Sequence, residues 1–352
     1  MLEEIAKFAK NLLLANLNLK NLPLKINFAI TWKCNLRCKV CDIWKKKSFG
    51  ELTLAEIEEF ARKNPFFSWV SLTGGEPFLR EDFVEIVKAF KKYSPLYILN
   101  IPTNGILTEK IENDILQILK LKIPNVILTV SIDGNRKIHD YIKGINGAFS
   151  RAILTFKNLK DISSKNKRFK TLFAYTISPL NVGKFESTYE EIKREIEDIS
   201  IYDFHINIFH YSTHYYSNEN LPIKNIEKYK KALLKEVGRI VKMKNNILNP
   251  INFVERQYLR FIPKFIKTQL TPLPCKSLRL SIFLDPIGNV YPCTIWNVKL
   301  GNVRNYNYEL KKIFAKKDIK KLLFLIENKK CPNCWSPCEA NQTILGNVKK
   351  FL

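Results

Sequence analysis

Apolar positions in residues 2–17 recur at a helical period: Leu2, Ile5, Phe8 with Ala9, and Leu12 with Leu13 share one face. This spacing predicts a helix that packs on the main body of the chain. Its polar face mixes charge signs, unlike the uniformly basic face of an interfacial membrane helix. From residue 25 a strand-then-helix rhythm takes over. Short apolar or alternating runs at 25–31, 68–73, 96–102, 125–132, 170–178 and 201–209 read as strands. Residues 53–63, 81–92, 108–120, 147–159 and 184–198 carry apolar positions at helical spacing between them. Such alternation predicts an α/β fold with a parallel sheet, and right-handed crossovers over six strands curl it into an open, partial (β/α)6 barrel. Loops at the C-terminal ends of the strands hold the reactive groups in barrels of this kind. A long helical stretch follows, 223–244 and on to about residue 267. From Leu273 the chain is punctuated by Pro, Cys and Gly with short hairpin-like pieces, as in a small metal-stapled unit. The expected organisation is an N-terminal helix over 1–24, a barrel over 25–268 and a small auxiliary domain over 269–352.

The 352 residues are 46% hydrophobic, ample for a large core. No apolar run reaches the roughly 18–20 residues of a membrane span, so no transmembrane segment is expected. Glu3 and Glu4 stand where a signal peptide would be basic. The expected location is cytoplasmic, where thiols stay reduced, and eight cysteines then suggest metal ligation more than disulfides. They fall into two groups far apart in sequence, which suggests two metal centres. The formal charge of +25 favours acidic partners: an anionic substrate, an acidic electron donor, nucleic acid or lipid headgroups. No nucleic-acid recognition motif accompanies the charge, so nucleic acid is not the expected partner.

The first group is Cys34-x3-Cys38-x2-Cys41, directly after the first strand. Three thiols in one short loop can wrap a corner of a cubane. A [4Fe–4S] cluster usually takes four thiolates, so three leave one iron open to a small molecule. Zinc takes four protein ligands, and the neighbouring Asp42 would be an unusual fourth. The loop closely resembles that of the radical SAM family. The resemblance implies that the amino and carboxylate groups of S-adenosylmethionine (SAM) chelate the open iron. An electron from the cluster then breaks a carbon–sulfur bond and yields a 5′-deoxyadenosyl radical.

Further segments resemble the same family. Gly74-Gly75-Glu76-Pro77, after the second strand, looks like the motif that holds the SAM amino group. Adjacent glycines let backbone carbonyls approach a ligand closely, Glu76 adds an acceptor for an ammonium, and Pro77 stops the strand. Asn104 ends the third strand. Ser131 and Asp133, in Ser131-Ile132-Asp133-Gly134 at the end of the fourth, have the chemistry for ribose hydroxyls. The alternative for Asp133 is a plain helix cap. Val40 stands where the family often places a residue near adenine. Lys143 occupies a position where related chains often carry Arg; an ammonium is not a planar fork, and Lys143 is left outside the expected contacts.

The second group reads Cys275-x12-Gly288-x4-Cys293, then Cys331-x2-Cys334-x3-Cys338. With the Asp-Pro-Ile-Gly-Asn-Val-Tyr-Pro-Cys run at 285–293, it resembles the SPASM/twitch auxiliary-cluster domain over roughly residues 270–341. The full pattern carries seven cysteines and two clusters. Five remain here, enough for one auxiliary [4Fe–4S] cluster with one thiol to spare. The match to the shorter twitch arrangement points to Cys275, Cys293, Cys331 and Cys334, with Cys338 able to replace one. A zinc site built from Cys331, Cys334, Cys338 and another cysteine is the alternative.

The expected cofactors are thus a SAM-bound [4Fe–4S] cluster, one auxiliary [4Fe–4S] cluster and SAM itself. The expected activity is radical activation of a C–H bond in a small-molecule or peptide substrate, with ferredoxin or flavodoxin as an acidic electron donor. Methyl or sulfur transfer is the alternative, but neither a cobalamin domain nor methyl-carrying cysteines are evident. A non-catalytic basic metalloprotein that binds nucleic acid is the third reading. The 24 residues before the first strand are too few for a leader-binding domain, which lowers a ribosomal-peptide role unless a separate protein binds the leader. His205 and Asn207 share one face of the sixth strand and would touch substrate if that face lines the barrel. His210 and His214 read as solvent-facing or core-satisfied, and the aromatic run at 211–216 as packing, with stacking on a sugar or base as the alternative.

Overall fold

The computed structural model describes residues 2–17, 19, 22–221, 223, 225–244 and 250–351. Six parallel strands form the expected sheet: β1 (Lys25–Thr31), β2 (Trp69–Gly74), β3 (Ile98–Thr103), β4 (Asn125–Ser131), β5 (Phe169–Ile177) and β6 (Phe204–Ile208). The helices before them and between them are α1 (Leu2–Asn16), α2 (Leu54–Lys63), α3 (Phe83–Tyr93), α4 (Thr108–Lys120), α5 (Arg136–Lys143), α6 (Ala148–Lys165) and α7 (Phe185–Glu195). The sheet stays open, as a partial barrel requires. The side chain of Leu2 lies outside the described residues, and Phe8 and Leu12 of α1 pack against Leu24, Trp69 and Leu280.

Burial alternates along the later strands. On β5, Phe169, Thr171, Phe173, Tyr175 and Ile177 are buried, and the residues between them are half-buried. The buried set faces the helices: Phe156 of α6 stacks on Phe173 at 3.8 Å. The half-buried set, with His205 and Asn207 on β6, therefore faces the concave side.

Three features differ from the sequence reading. Helix α5 was not anticipated; it is eight residues long, starts where the Asn135 side chain accepts from the N–H of Ile138, and ends at Gly144 with φ 76°. Residues 201–203 form a single 3-10 turn ahead of β6, not its first residues. The long helical stretch is two helices, α8 (Ile226–Met243) and α9 (Pro250–Thr268); residues 245–249 of that stretch lie outside the described residues.

The sheet also continues past β1. Strand β7 (Ser281–Leu284) pairs parallel with β1, Lys25 opposite Ser281 and Phe28 opposite Leu284. Strands β8 (Asn289–Tyr291) and β9 (Gly301–Asn302) then follow antiparallel, giving the order β6-β5-β4-β3-β2-β1-β7-β8-β9. Helices α10 (Leu310–Phe314), α11 (Lys317–Glu327) and α12 (Pro337–Leu345) complete the C-terminal part. Lys25 locks α12 to β1: its buried ammonium donates to the Cys338 carbonyl at 2.7 Å and to Gln342 Oε1 at 2.9 Å, and lies over the Trp69 ring. Among the described residues no helix is long and apolar enough to cross a membrane.

Candidate active site

The cysteine loop leaves the C-terminal end of β1, where Glu51 fixes its departure. Glu51 Oε1 accepts from the N–H of Trp32 at 2.6 Å and from Thr31 Oγ1 at 3.1 Å. The loop then docks on the C-terminal end of α5. The N–H of Arg37 donates to Lys143 O at 3.2 Å, and that of Lys39 to Ile142 O at 2.8 Å. Last-turn carbonyls of a helix lack partners within the helix, so α5 offers a ready acceptor edge. Gly144 makes the approach possible, since a Cβ there would stand 2.7 Å from Arg37 O.

This seat places Cys34, Cys38 and Cys41 together, each half-buried. Burial pushes all three thiols up, Cys38 to about 11 and Cys41 to about 12, and the negative charge of neighbouring cysteines adds to this at both. The backbone amides of Leu36 and Ile43 favour the thiolates of Cys34 and Cys41. A bound cationic centre would release these protons, because thiolates are the ligands. Among the described residues no three His, Cys, Asp or Glu side chains close on a point suited to a single ion. A [4Fe–4S] cluster takes cysteine thiolates that stand on different irons, and this loop supplies three. The donor set fits the cluster.

The Gly74–Gly75 turn packs on the start of this loop. A Cβ on Gly74 would meet Thr31 O at 2.3 Å, and one on Gly75 would meet Lys33 O at 2.1 Å. The glycines therefore admit protein backbone, where sequence reasoning gave them only a ligand. The N–H of Gly75 donates to Thr31 O and that of Glu76 to Lys33 O, each at 2.8 Å. The Glu76 carboxylate is buried and engaged: it accepts from the N–H of Asn104 at 2.7 Å, from Thr103 Oγ1 at 2.8 Å and from the N–H of Phe78 at 3.3 Å. Burial raises its pKa to about 7 against the pull of these donors. Pro77 opens the short turn after it. Asn104 reaches back to the cysteine loop, donating to Asn35 Oδ1 at 2.7 Å. Ser131 ends β4, and the Val40 carbonyl accepts from Asn218 at 3.2 Å.

Asp133 does not cap α5; Asn135 does. Asp133 instead pairs with Lys143, and sequence reasoning set Lys143 aside. Burial alone would lower the Lys143 ammonium. Asp133 and the thiols of Cys38 and Cys34 outweigh that and hold it above its ordinary range. The structure thus brings a fixed positive charge to the first cysteine group, and local patterning gave no sign of it.

Four of the five later cysteines, Cys275, Cys293, Cys331 and Cys334, line one cavity together with Glu339. Backbone amides are aimed at two of the sulfurs, Ser277 N to Cys275 Sγ at 3.4 Å and Trp296 N to Cys293 Sγ at 3.3 Å. Such donors favour thiolates. Cys338 stands outside this cavity, in the first turn of α12. Glu339 is held by Ser281, Gln342 and Asn27, and burial raises it to about 7.

His205 and Asn207 do lie on the concave face. Asn207 Oδ1 and, on β3, Asn100 Oδ1 are buried with no hydrogen-bond partner among the described residues. His210 and His214 are held down to about 4, chiefly by burial, and so are neutral.

Two family models match the chain: the radical SAM superfamily over residues 29–192, and an iron–sulfur cluster-binding domain over 275–339. The antilisterial bacteriocin subtilosin biosynthesis protein AlbA of Bacillus subtilis (strain 168) is 28% identical over 306 residues, covering 82% of this chain and 59% of AlbA. A GTP 3′,8-cyclase of Haemophilus ducreyi is 31% identical over 150 residues, 38% of this chain and 42% of the cyclase. The chain thus spans less than two thirds of the length of either relative. The solved structure of native anSMEcpe with bound AdoMet and Cp18Cys peptide shares the fold, with TM-score 0.58 at 17% identity over 94% of this chain and 96% of that one. Taken with three cysteines seated at the end of β1, the two matches show that the chain belongs to the radical SAM superfamily, whose cofactors are SAM and a [4Fe–4S] cluster, and carries a C-terminal iron–sulfur cluster-binding domain.

Proposed function

We propose that this chain reductively cleaves SAM and activates a C–H bond of a peptide substrate, with one auxiliary [4Fe–4S] cluster on Cys275, Cys293, Cys331 and Cys334. The observation that carries this reading is the seat of Cys34, Cys38 and Cys41 against the Gly74–Gly75 turn and Lys143. When bound, the cluster and SAM supply the 5′-deoxyadenosyl radical. The chain's own residues hold and orient. The three thiols bind the cluster. Gly74 and Gly75 offer backbone to the SAM ammonium, with Glu76, Pro77 and Asn104 fixing that backbone. Ser131 and Asp133 stand at the ribose and Val40 near adenine. Lys143 offsets the negative charge of the thiolates. In this reading 25–268 is the catalytic barrel, 269–352 the auxiliary unit and 1–24 the N-terminal helix.

The peptide class is supported by what AlbA makes and by the peptide bound to anSMEcpe. It is also supported by the concave face. The amide oxygens of Asn100 and Asn207, without a partner among the described residues, call for N–H or O–H donors, and a peptide backbone supplies N–H groups. Held by Cys275, Cys293, Cys331 and Cys334, an auxiliary cluster would supply an electron acceptor for the substrate radical or an anchor for the substrate. An acidic electron donor fits the rim of the first site, where Lys33, Arg37, Lys39, Lys45 and Lys47 are exposed and Asp42 is the only acid among residues 33–47.

The test is product counting. The reconstituted chain, reduced without oxygen and given SAM, should form 5′-deoxyadenosine and methionine. S-adenosylhomocysteine as the main product would instead mean methyl transfer.

A further inference from the structure

The loop that follows β6 touches both cysteine groups. On one side, the Tyr215 hydroxyl stands 2.8 Å from Thr73 Oγ1 and 3.5 Å from the Gly74 carbonyl. The N–H of Asp42, next to Cys41, donates to Tyr216 O at 2.8 Å. On the other side, His214 Nε2 donates to the Cys293 carbonyl at 3.0 Å, and Ser212 Oγ donates to Thr294 O at 2.6 Å. The N–H of Trp335, next to Cys334, donates to His210 Nε2 at 3.0 Å. Two adjacent side chains thus reach opposite centres.

Ring packing makes the strap stiff. The Tyr215 ring lies 4.9 Å from Phe283, and the His214 ring 4.5 Å from Tyr291. Phe283 and Tyr291 sit on the β7–β8 hairpin that leads into Cys293. Tyr215 is buried in the same cluster as Trp32, which precedes the first cysteine loop. Close-packed interiors transmit small displacements instead of absorbing them.

We propose that His214 and Tyr215 are positioning residues that couple the SAM site to the auxiliary cluster site, so that SAM seated against Gly74 fixes the backbone at Cys293. The inference rests on the reading of the two cysteine groups given above. Coupling between two sites is reciprocal, so the auxiliary centre should in turn sense whether SAM is bound.

The test uses the reconstituted holoenzyme and SAM alone. The midpoint potential of the auxiliary cluster is measured by EPR-monitored titration with and without SAM, alongside the EPR signal of the SAM cluster. SAM should shift the auxiliary potential in the native chain. Tyr215→Phe and His214→Ala should abolish that shift with iron content unchanged. His214→Gln, which keeps an N–H donor, should restore much of it. Tyr211→Phe, on the same loop but bonded to Leu221 O among the described residues, should leave it intact. Tyr215→Phe should also raise the KM for SAM in uncoupled cleavage about three- to tenfold, the weight of one hydrogen bond, with kcat little changed. A SAM cluster that responds to SAM while the auxiliary potential stays fixed overturns the coupling alone. So does a shift that survives in both Tyr215→Phe and His214→Ala. A SAM cluster that ignores SAM overturns the underlying site reading and the coupling with it.

Discussion

Lys143 Nζ stands 2.7 Å from Asp133 Oδ2, and the two side chains are only 7% and 8% exposed. The pair joins the end of α5 to the segment after β4, directly behind the first cysteine group. Removing one partner leaves the other charge buried. Lys143→Met should therefore destabilise the chain by roughly 3–5 kcal/mol in anaerobic denaturant unfolding. Adding Asp133→Asn should recover most of the loss. A double variant as unstable as the single would mean that the ion pair is not what holds this junction.

Iron content tests the ligand sets. Two [4Fe–4S] clusters give about eight irons per chain. Changing Cys34, Cys38 and Cys41 together to Ala should leave about four, and Cys293→Ser should also leave about four. Cys338 lies outside the cavity that the other four cysteines line, so Cys338→Ser should keep the full complement. Loss of the auxiliary iron in Cys338→Ser would place that thiol among the ligands.

Glu76 gives a pH signature. Burial lifts its folded pKa to about 7, above the ordinary carboxylate value of 4.5. An acid shifted upward stabilises the fold fully below its unfolded pKa and loses that contribution as pH rises through the folded one. The loss should fall between about pH 4.5 and 7, on the order of 3 kcal/mol. Glu76→Gln, which cannot ionise, should make that part of the stability profile shallower and leave the share of Glu339, which burial also lifts to about 7. An unchanged slope in Glu76→Gln would assign the pH dependence elsewhere.

Sequence patterning carried the six strand–helix units because each holds a local period, and the cysteines because their spacing is itself the signal. What stayed hidden depends on partners far along the chain. β7, β8 and β9 are four, three and two residues long, too short for a period, and they join the barrel sheet through the pairing of β7 with β1. α5 is a two-turn helix whose value lies in the carbonyls it offers to Arg37 and Lys39. Lys143 stands outside the expected contacts because its partner Asp133 is met only once α5 turns it inward. Gly74 and Gly75 are visible as a motif, but the backbone of residues 31–33 that requires them is invisible in the spacing.

That shared sheet changes what loss of the auxiliary centre should do. Metal ligation contributes much of the folding free energy of small metal-stapled units. In Cys293→Ser, hydrogen exchange should quicken after about residue 270. It should also quicken along β1, because β7 pairs with β1 and Lys25 ties β1 to α12. Strands β4 and β5 should keep their protection. Faster exchange confined to residues after 270 would show that β7 is not needed to hold β1.

The most direct measurement compares the native chain with the Cys34→Ala, Cys38→Ala, Cys41→Ala variant, both reconstituted, reduced without oxygen and given SAM. The native chain should release 5′-deoxyadenosine and methionine in equal amounts, and the variant neither, while retaining its auxiliary iron. Equal formation of 5′-deoxyadenosine by both, or none by a fully reconstituted and reduced native chain, would contradict radical SAM chemistry at this loop.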